Sequence, residues 1–316
     1  MLTNIQIQDI ANQKVLTSDL TDADLLEFCN IANQRYRDGN PIISDEHYDF
    51  IFTLELSKRL PGHPFLQKIE PENEGFSEEK IKLPKKMLST DKAYSWEEIN
   101  KWLERIAKFS SEIDYSLADI QIKGTAKLDG FAGYDDGKKL YTRGDGNKGS
   151  DISRVFERGL GVFNNSERGQ GPGEIVVKRS YFEKYLSNHF EYPRNFQASL
   201  IKEKELDRFA IDAISSKAAL FVPFNQLPHW LGSIDEFRKQ FLDVVSQLEG
   251  GVDFDIDGVV FEIVNPELKN HMGSNRKFHR WQIAFKENKE KAQVKVLSIT
   301  AQVGRTGKIT PVAELE

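Results

Sequence analysis

The chain has 316 residues, beyond the length at which one hydrophobic core usually stops growing, so two or more domains are expected. Hydrophobic residues make up 39% and charged residues 29%, the balance of a soluble globular protein, and no apolar run reaches membrane-spanning length. A net charge of −6 argues against a basic nucleic-acid platform, and the single cysteine, Cys29, rules out a disulfide framework or a cysteine zinc site.

The opening MLTNIQIQDIANQK has neither a basic nor an apolar leader region, so no signal peptide is indicated and a cytoplasmic location is expected. From about residue 18 to 60 the pattern reads as two helices. Leu25, Cys29, Ala32 and Tyr36 recur at helical spacing, and Ser44 is placed to cap the second helix. On that helix Asp45, Tyr48 and Asp49 stand at i, i+3 and i+4, which puts them on one face. The stretch RLPGHPFLQKIEPENEGFSEEKIKLPKK is rich in Pro, Gly and charge and reads as a linker.

Beyond Met87, SWEEINKWLERIAKF reads as a helix, followed by short strands with Gly-rich turns, among them GEIVV, ALFVPF and DGVVFEIV. The class is therefore α+β. The last stretch, QVKVLSITAQVGRTGKITPVAEL, reads as two strands around a Gly-containing turn. Two strands alone bury no core, so this end is expected either to open a β-domain whose remainder lies elsewhere or to pack on the main domain.

Chemistry concentrates at TAKLDGFAG. If the stretch is extended, Lys127 and Asp129 share a face. Lys127 is then either a surface lysine before a turn or a nucleophile held beside a carboxylate. Lys-x-Asp-Gly alone does not decide between them. Downstream, TRGDGNKGSD adds Arg143, a fork suited to phosphate or carboxylate, among glycines that let backbone approach a ligand.

Together these stretches resemble NAD-dependent DNA ligases, and the resemblance runs in order along nearly the whole chain. RYRDGNPIISDEHYD resembles the family's nicotinamide-recognition module, and MLSTDKAYSWEEI its Met-Leu-Ser-Leu-Asp-Asn segment. GEIVV, with Phe182 eight residues after Glu174, resembles the Arg-Gly-Glu strand, and YPRNFQASL the Asn-Pro-Arg-Asn segment. DIDGVVFEIV, RWQIAFK and QVGRTGKITPVAELE resemble the Ile-Asp-Gly-Val-Val strand, the lysine strand and the first strands of an oligonucleotide-binding (OB) barrel.

The resemblance implies a helical NAD/NMN-recognition domain over 1–62, a linker over 63–86, an adenylation (nucleotidyltransferase) domain over 87–288 and an incomplete OB fold over 289–316. The middle domain is implied to be an ATP-grasp-like DNA ligase domain of antiparallel sheets with helices. Lys127 would attack the α-phosphorus of NAD, release nicotinamide mononucleotide (NMN) and carry AMP for transfer to a 5′-phosphate at a nick in double-stranded DNA. Lys286 would contact the α-phosphate, with Mg2+ as its companion, and Arg143 would position the nucleotide. Ser89, Thr125, Glu174, Phe224 (a candidate adenine-stacking ring) and Asp257 complete the implied nucleotide site, with Asp129 beside the nucleophile. Asp45, Tyr48 and Asp49 would hold the cationic nicotinamide, and Tyr36 would stack on it.

The chain departs from the family pattern at several positions. Thr125 stands where a glutamate is usual, Pro172 replaces the arginine of Arg-Gly-Glu, and Arg35 falls where a tyrosine is common. Glu262 replaces a lysine aimed at the nucleotide, and is expected to pair with Lys286 or a nearby arginine, or to ligate a metal. Sealing a nick also needs a complete barrel, so the chain is expected to be an expressed fragment or one subunit of a split ligase. Missing domains or a second subunit would then supply the rest, with DNA gripped weakly by this chain alone and no membrane involved. The rival readings are an ATP- or GTP-dependent nucleotidyltransferase, which the ISDEHYD module argues against, and a weakened paralogue acting as a scaffold subunit.

Overall fold

The structure, a computed structural model, describes residues 2–37, 40–67, 80–287, 296–303 and 309–315. The N-terminal module contains α1 (Asn4–Ala11), α2 (Asp22–Arg37), a π-helical stretch (His47–Thr53) running into α3 (Leu54–Arg59), and a short α4 (Pro64–Gln67). Ser44 caps the second of these helical stretches, its hydroxyl accepting from the His47 N–H at 3.2 Å. Leu25, Cys29 and Ala32 turn inward with Phe28, Phe52 and Leu56 to make a small separate core.

The larger body comprises α5 (Trp96–Ser111), α6 (Pro193–Lys202), α7 (Arg208–Ser215), α8 (Ile234–Gly250) and α9 (Pro266–Met272) packed on two five-stranded sheets. In chain order the strands are β1 (Ser89–Ala93), β2 (Gln121–Leu128), β3 (Phe131–Asp135), β4 (Leu140–Thr142), β5 (Gly161–Val162), β6 (Gly171–Val177), β7 (Ala219–Pro223), β8 (His229–Ser233), β9 (Ile256–Ile263) and β10 (Phe278–Phe285). The first sheet runs β8-β2-β9-β10-β1 and the second β4-β3-β6-β7-β5. The sheets are mixed rather than wholly antiparallel, because β1 joins β10 and β5 joins β7 in parallel. Such pairs need a crossover, and a helix supplies one between β1 and the rest of its sheet.

Alternation explains the layering. Ile122, Val259, Phe261, Ile263 and Phe285 face α5, α8 and α9, whose Trp102, Ile106, Phe237 and Leu268 complete the largest core. Phe131, Ile175, Val177 and Phe221 face α6 and α7. Between the sheets Ala126, Leu128, Val176, Val222 and Phe254 form a third cluster. β2 turns directly into β3 across Asp129 and Gly130, so both sheets meet at the Lys-x-Asp-Gly motif. Gly130 is required there, since a Cβ would lie 2.4 Å from the carbonyl oxygen of Ile175.

Within the expected linker, Ile81–Lys82 pairs with Lys148–Gly149, which brings that segment onto the TRGDGNKG loop, while 68–79 lie outside the described residues. At the far end β11 (Val296–Val303) and β12 (Ile309–Leu315) pair antiparallel, and the intervening 304–308 lie outside the described residues. Among the described residues no helix is long and apolar enough to cross a membrane.

Candidate active site

The site gathers where β2, β9 and β10 end beneath the helical module. The Lys127 Nζ donates to Asp257 Oδ1 at 2.6 Å, and the second Asp257 oxygen takes the Lys286 Nζ at 2.7 Å. Lys286 donates in turn to Asp49 Oδ2 at 2.6 Å, and Lys92 donates to Asp49 Oδ1 at 2.5 Å. Two carboxylates thus alternate with three ammonium groups along a continuous chain of charge-assisted bonds.

A bulge makes this possible. The register of β9 against β2 shifts between Ile256 and Val259, and Gly258 sits within it at φ +133°. A Cβ on Gly258 would lie 2.3 Å from the Phe285 carbonyl oxygen. The bulge brings Asp257 against Lys127, and the tight approach to Phe285 brings in Lys286, the next residue of that strand's path.

Burial sets the electrostatics. At Asp257 it pushes the carboxyl up, but Lys127 and Lys286 outweigh it and hold the group well below the usual carboxylate range. Lys286 is 5% exposed; burial opposes its charge, yet Asp257 and Asp49 keep the ammonium well above the usual lysine range. Asp45, beside the same lysine, is pushed up to about 7 by burial and by Asp129, against the pull of Lys286. Asp45, Asp49, Asp257 and Lys286 line a cavity of about 50 Å³ between the module and the sheet ends.

Asp129 does not pair with Lys127. It lies just past the end of β2, and its Oδ1 accepts from the Tyr36 hydroxyl at 3.0 Å. The expected carboxylate partner of the nucleophile is therefore Asp257, 130 residues away. The Arg194 guanidinium lies over one face of the Tyr36 ring at 3.9 Å. Arg194 also donates to the Tyr36 carbonyl at 3.1 Å and to the Gly130 carbonyl, clamping α2 to the motif turn.

Tyr48 leaves the face assigned to it. It packs into the module core, with its hydroxyl 3.5 Å from the Cys29 carbonyl. The stretch is π-helical, with the Leu54 N–H reaching the Asp49 carbonyl, and a π turn takes more than four residues. Residues at i and i+4 stay aligned, so Asp45 and Asp49 share a face while i+3 rotates away.

Glu262 pairs neither with Lys286 nor with an arginine. Its Oε2 accepts from Lys269 at 3.1 Å, and Lys269 lies 4.2 Å over the Trp281 ring. On β9 it stands opposite Lys123, four residues and so about 13 Å along the strand from Lys127. That distance puts Lys286 out of reach. Among the described residues no group of three or more His, Cys, Asp or Glu can hold a metal ion, so Glu262 belongs to no such cluster.

The remaining predicted residues border the inter-sheet cleft. Thr125 follows the alternation of Lys127 on β2. Glu174, on β6 between Ala132 and Val222, is 9% exposed, and burial pushes it up to about 8 despite Lys127 and Arg194. Its carboxylate makes no hydrogen bond or ion pair among the described residues. The Arg143 backbone N–H donates to Ala132, the cross-strand neighbour of Glu174, and its buried Nε has no partner. The unpartnered Arg143 Nε and the Glu174 carboxylate fit a polar ligand in the cleft. Phe224 packs at the edge of the inter-sheet cluster near Ala126 and Ile256. Ser89 starts β1, its N–H donating to the Lys277 carbonyl.

Lys92 and Arg194 belong to the site but were not singled out from the sequence. Both had a signal. Lys92 falls where the Met-Leu-Ser-Leu-Asp-Asn pattern ends in asparagine, and Arg194 is the arginine of YPRN.

A lysine in contact with a carboxylate, a second lysine on that carboxylate and a polar cleft define a site for nucleophilic chemistry on an anionic ligand. The chain is similar to known DNA ligases. A DNA ligase of Vesicomyosocius okutanii is 61% identical over 316 residues, all of this chain and 50% of the relative. One of Ruthia magnifica is 62% identical over 298 residues, 94% of this chain and 48% of the relative, and one of Shewanella baltica is 49% identical over 307, 97% and 47%. The chain thus spans about half the length of the curated relatives it matches. Residues 76–207 match the family model of the NAD-dependent DNA ligase adenylation domain.

Proposed function

We propose that this chain carries out the self-adenylation step of an NAD-dependent DNA ligase. The observation that carries the reading is the contact of Lys127 with Asp257, whose other oxygen holds Lys286. Lys127 attacks the α-phosphorus of NAD, a nitrogen–phosphorus bond forms, and the bond to the NMN phosphate breaks with its electron pair. The lysine proton passes by way of Asp257 to solvent. Lys286 faces the charge that develops on the α-phosphate. Glu174, protonated near neutrality, and Arg143 take the ribose and phosphate of the AMP part, and Phe224 borders the adenine. Asp45 and Asp49 receive the nicotinamide side.

Mg2+ is proposed to arrive on the nucleotide phosphates, since the acidic side chains of the site offer no ligand cluster of their own among the described residues. The AMP then passes to a 5′-phosphate at a nick in double-stranded DNA. That step draws on an OB barrel of which β11 and β12 are the proposed first strands, completed by further domains or a second subunit. The domain limits given above and a cytoplasmic location belong to the same proposal.

Stoichiometric release of NMN on mixing the chain with NAD tests this reading. Release with NAD and no turnover of ATP or GTP supports it. Turnover of ATP instead would favour the ATP-dependent reading, and a folded chain inert to all three nucleotides the scaffold reading.

A further inference from the structure

We propose that Lys92 is a diphosphate-binding residue of this site, holding the second phosphate of the dinucleotide, the one that leaves, while Asp49 keeps its place in the absence of nucleotide. The inference rests on the adenylation reading above.

The geometry is that of a shared anion. The Asp49 carboxylate is 3% exposed and places one oxygen on Lys92 at 2.5 Å and the other on Lys286 at 2.6 Å. A planar anion with an oxygen on each of two ammonium groups presents what a phosphate oxygen pair would present to the same lysines. Asp49 comes from the helical module, whereas Lys92 and Lys286 come from neighbouring strands of the first sheet: β1 and β10 pair at Ala93 and Phe285, and the Lys286 N–H donates to the Ala93 carbonyl. The two ammonium groups are therefore fixed to one another by the sheet, independently of the module.

Order along the chain of charges assigns the phosphates. Lys127 lies at one end, Lys286 in the middle and Lys92 at the other. If Lys127 attacks the α-phosphorus with Lys286 on the α-phosphate, the next cation outward meets the phosphate whose oxygen departs. Lys92 also suits a leaving group by position. Its side chain is 40% exposed and opens onto a cavity of about 540 Å³ lined by both signs of charge, Lys101, Arg105 and Lys108 with Asp91, Glu98 and Glu104, which gives a path to solvent.

The step balances without further reactants. As the α-phosphorus–oxygen bond breaks, its electron pair stays on the departing NMN phosphate, and Lys92 pairs with the charge that appears. In reverse, Lys92 holds the NMN phosphate for attack on lysyl-AMP.

The test compares the wild-type chain with Lys92→Gln, Lys92→Arg and Asp49→Asn. Binding of inorganic pyrophosphate is measured by calorimetry, and the KM for NAD forward and for NMN in the reversal are measured separately. Lys92→Gln is expected to weaken pyrophosphate binding and raise both KM values about tenfold, a loss of ~1.4 kcal/mol. Lys92→Arg should recover most of the effect, and Asp49→Asn should tighten pyrophosphate by removing its competitor. If Lys92 only ties the module down, Lys92→Gln lowers the melting temperature while pyrophosphate affinity and both KM values stay put, and the inference fails with adenylation intact. If the wild-type chain binds pyrophosphate but never forms an AMP adduct, the adenylation reading fails, and the leaving-group role of Lys92 with it.

Discussion

Replacing Asp257 by asparagine removes the negative charge from the centre of the lysine chain while keeping the side chain's shape. In the wild type that carboxylate is 8% exposed and accepts from two ammonium groups at 2.6 and 2.7 Å. After the change Lys286 keeps only Asp49, and Lys127 faces Lys286 across a neutral amide. Breaking a buried pair by removing one partner costs roughly 3–5 kcal/mol, and the partial exposure of Lys127 points to the lower end. The loss is expected at about 3 kcal/mol at pH 7, read from urea unfolding as a shift in midpoint at unchanged slope. Because the folded carboxyl ionises well below the ordinary aspartate value of 3.8, its contribution is complete above that value and fades as the pH falls toward the folded one. The gap between wild type and variant should therefore narrow below about pH 4. A further change of Lys286 to methionine in the variant should cost less than it does in the wild type. A loss under about 1 kcal/mol, or a gap that does not narrow in acid, would refute the argument that Asp257 is the charged hub.

Glu174→Gln should flatten the pH dependence of stability: the folded carboxyl keeps its proton to about 8 while the unfolded one loses it near 4.5, so folding is weakened as pH rises between them. At pH 7 the variant should gain on the order of 3 kcal/mol by this term, and a variant no more stable than wild type in urea contradicts it. Gly258→Ala should cost at least about 2 kcal/mol and slow adenylation, since φ +133° and the Phe285 carbonyl both exclude a Cβ; a neutral result by calorimetry would remove the bulge from the account. Glu262→Lys should cost about 1 kcal/mol through lost pairing with Lys269, half-buried over Trp281, and leave the rate of AMP transfer within about threefold. Complete loss of transfer would give Glu262 an active part that its distance from Lys127 argues against.

What could be read from the sequence was what is local. The Trp96–Ser111 helix reads from SWEEINKWLERIAKF, and β6, β7 and β9 from the short apolar runs GEIVV, ALFVPF and DGVVFEIV between turns. Lys127 was visible as a motif residue. Its partner was not: Asp129 lies two residues away and Asp257 130 away, and only the bulge at Gly258 makes the distant carboxylate the nearer one. Tyr48 was misplaced because an α-helical period was applied to a stretch that winds as a π-helix. A carboxylate at Glu262 needs a partner, but four residues of strand separate it from the lysine chain, and Lys269 is the cation within reach. Arg194 and Lys92 act through contacts 158 and 43 residues apart in sequence, and periodicity carries no information across such separations.

The central claim is that Lys127 is the nucleophile and NAD the donor. The direct measurement is the intact mass of the chain after incubation with NAD and Mg2+, with the modified peptide mapped. The account predicts one AMP, on Lys127, formed with NAD and not with ATP, and absent from a Lys127→Arg variant that remains folded. A folded wild-type chain that gains no mass with NAD, or an AMP mapped to another residue, would contradict it.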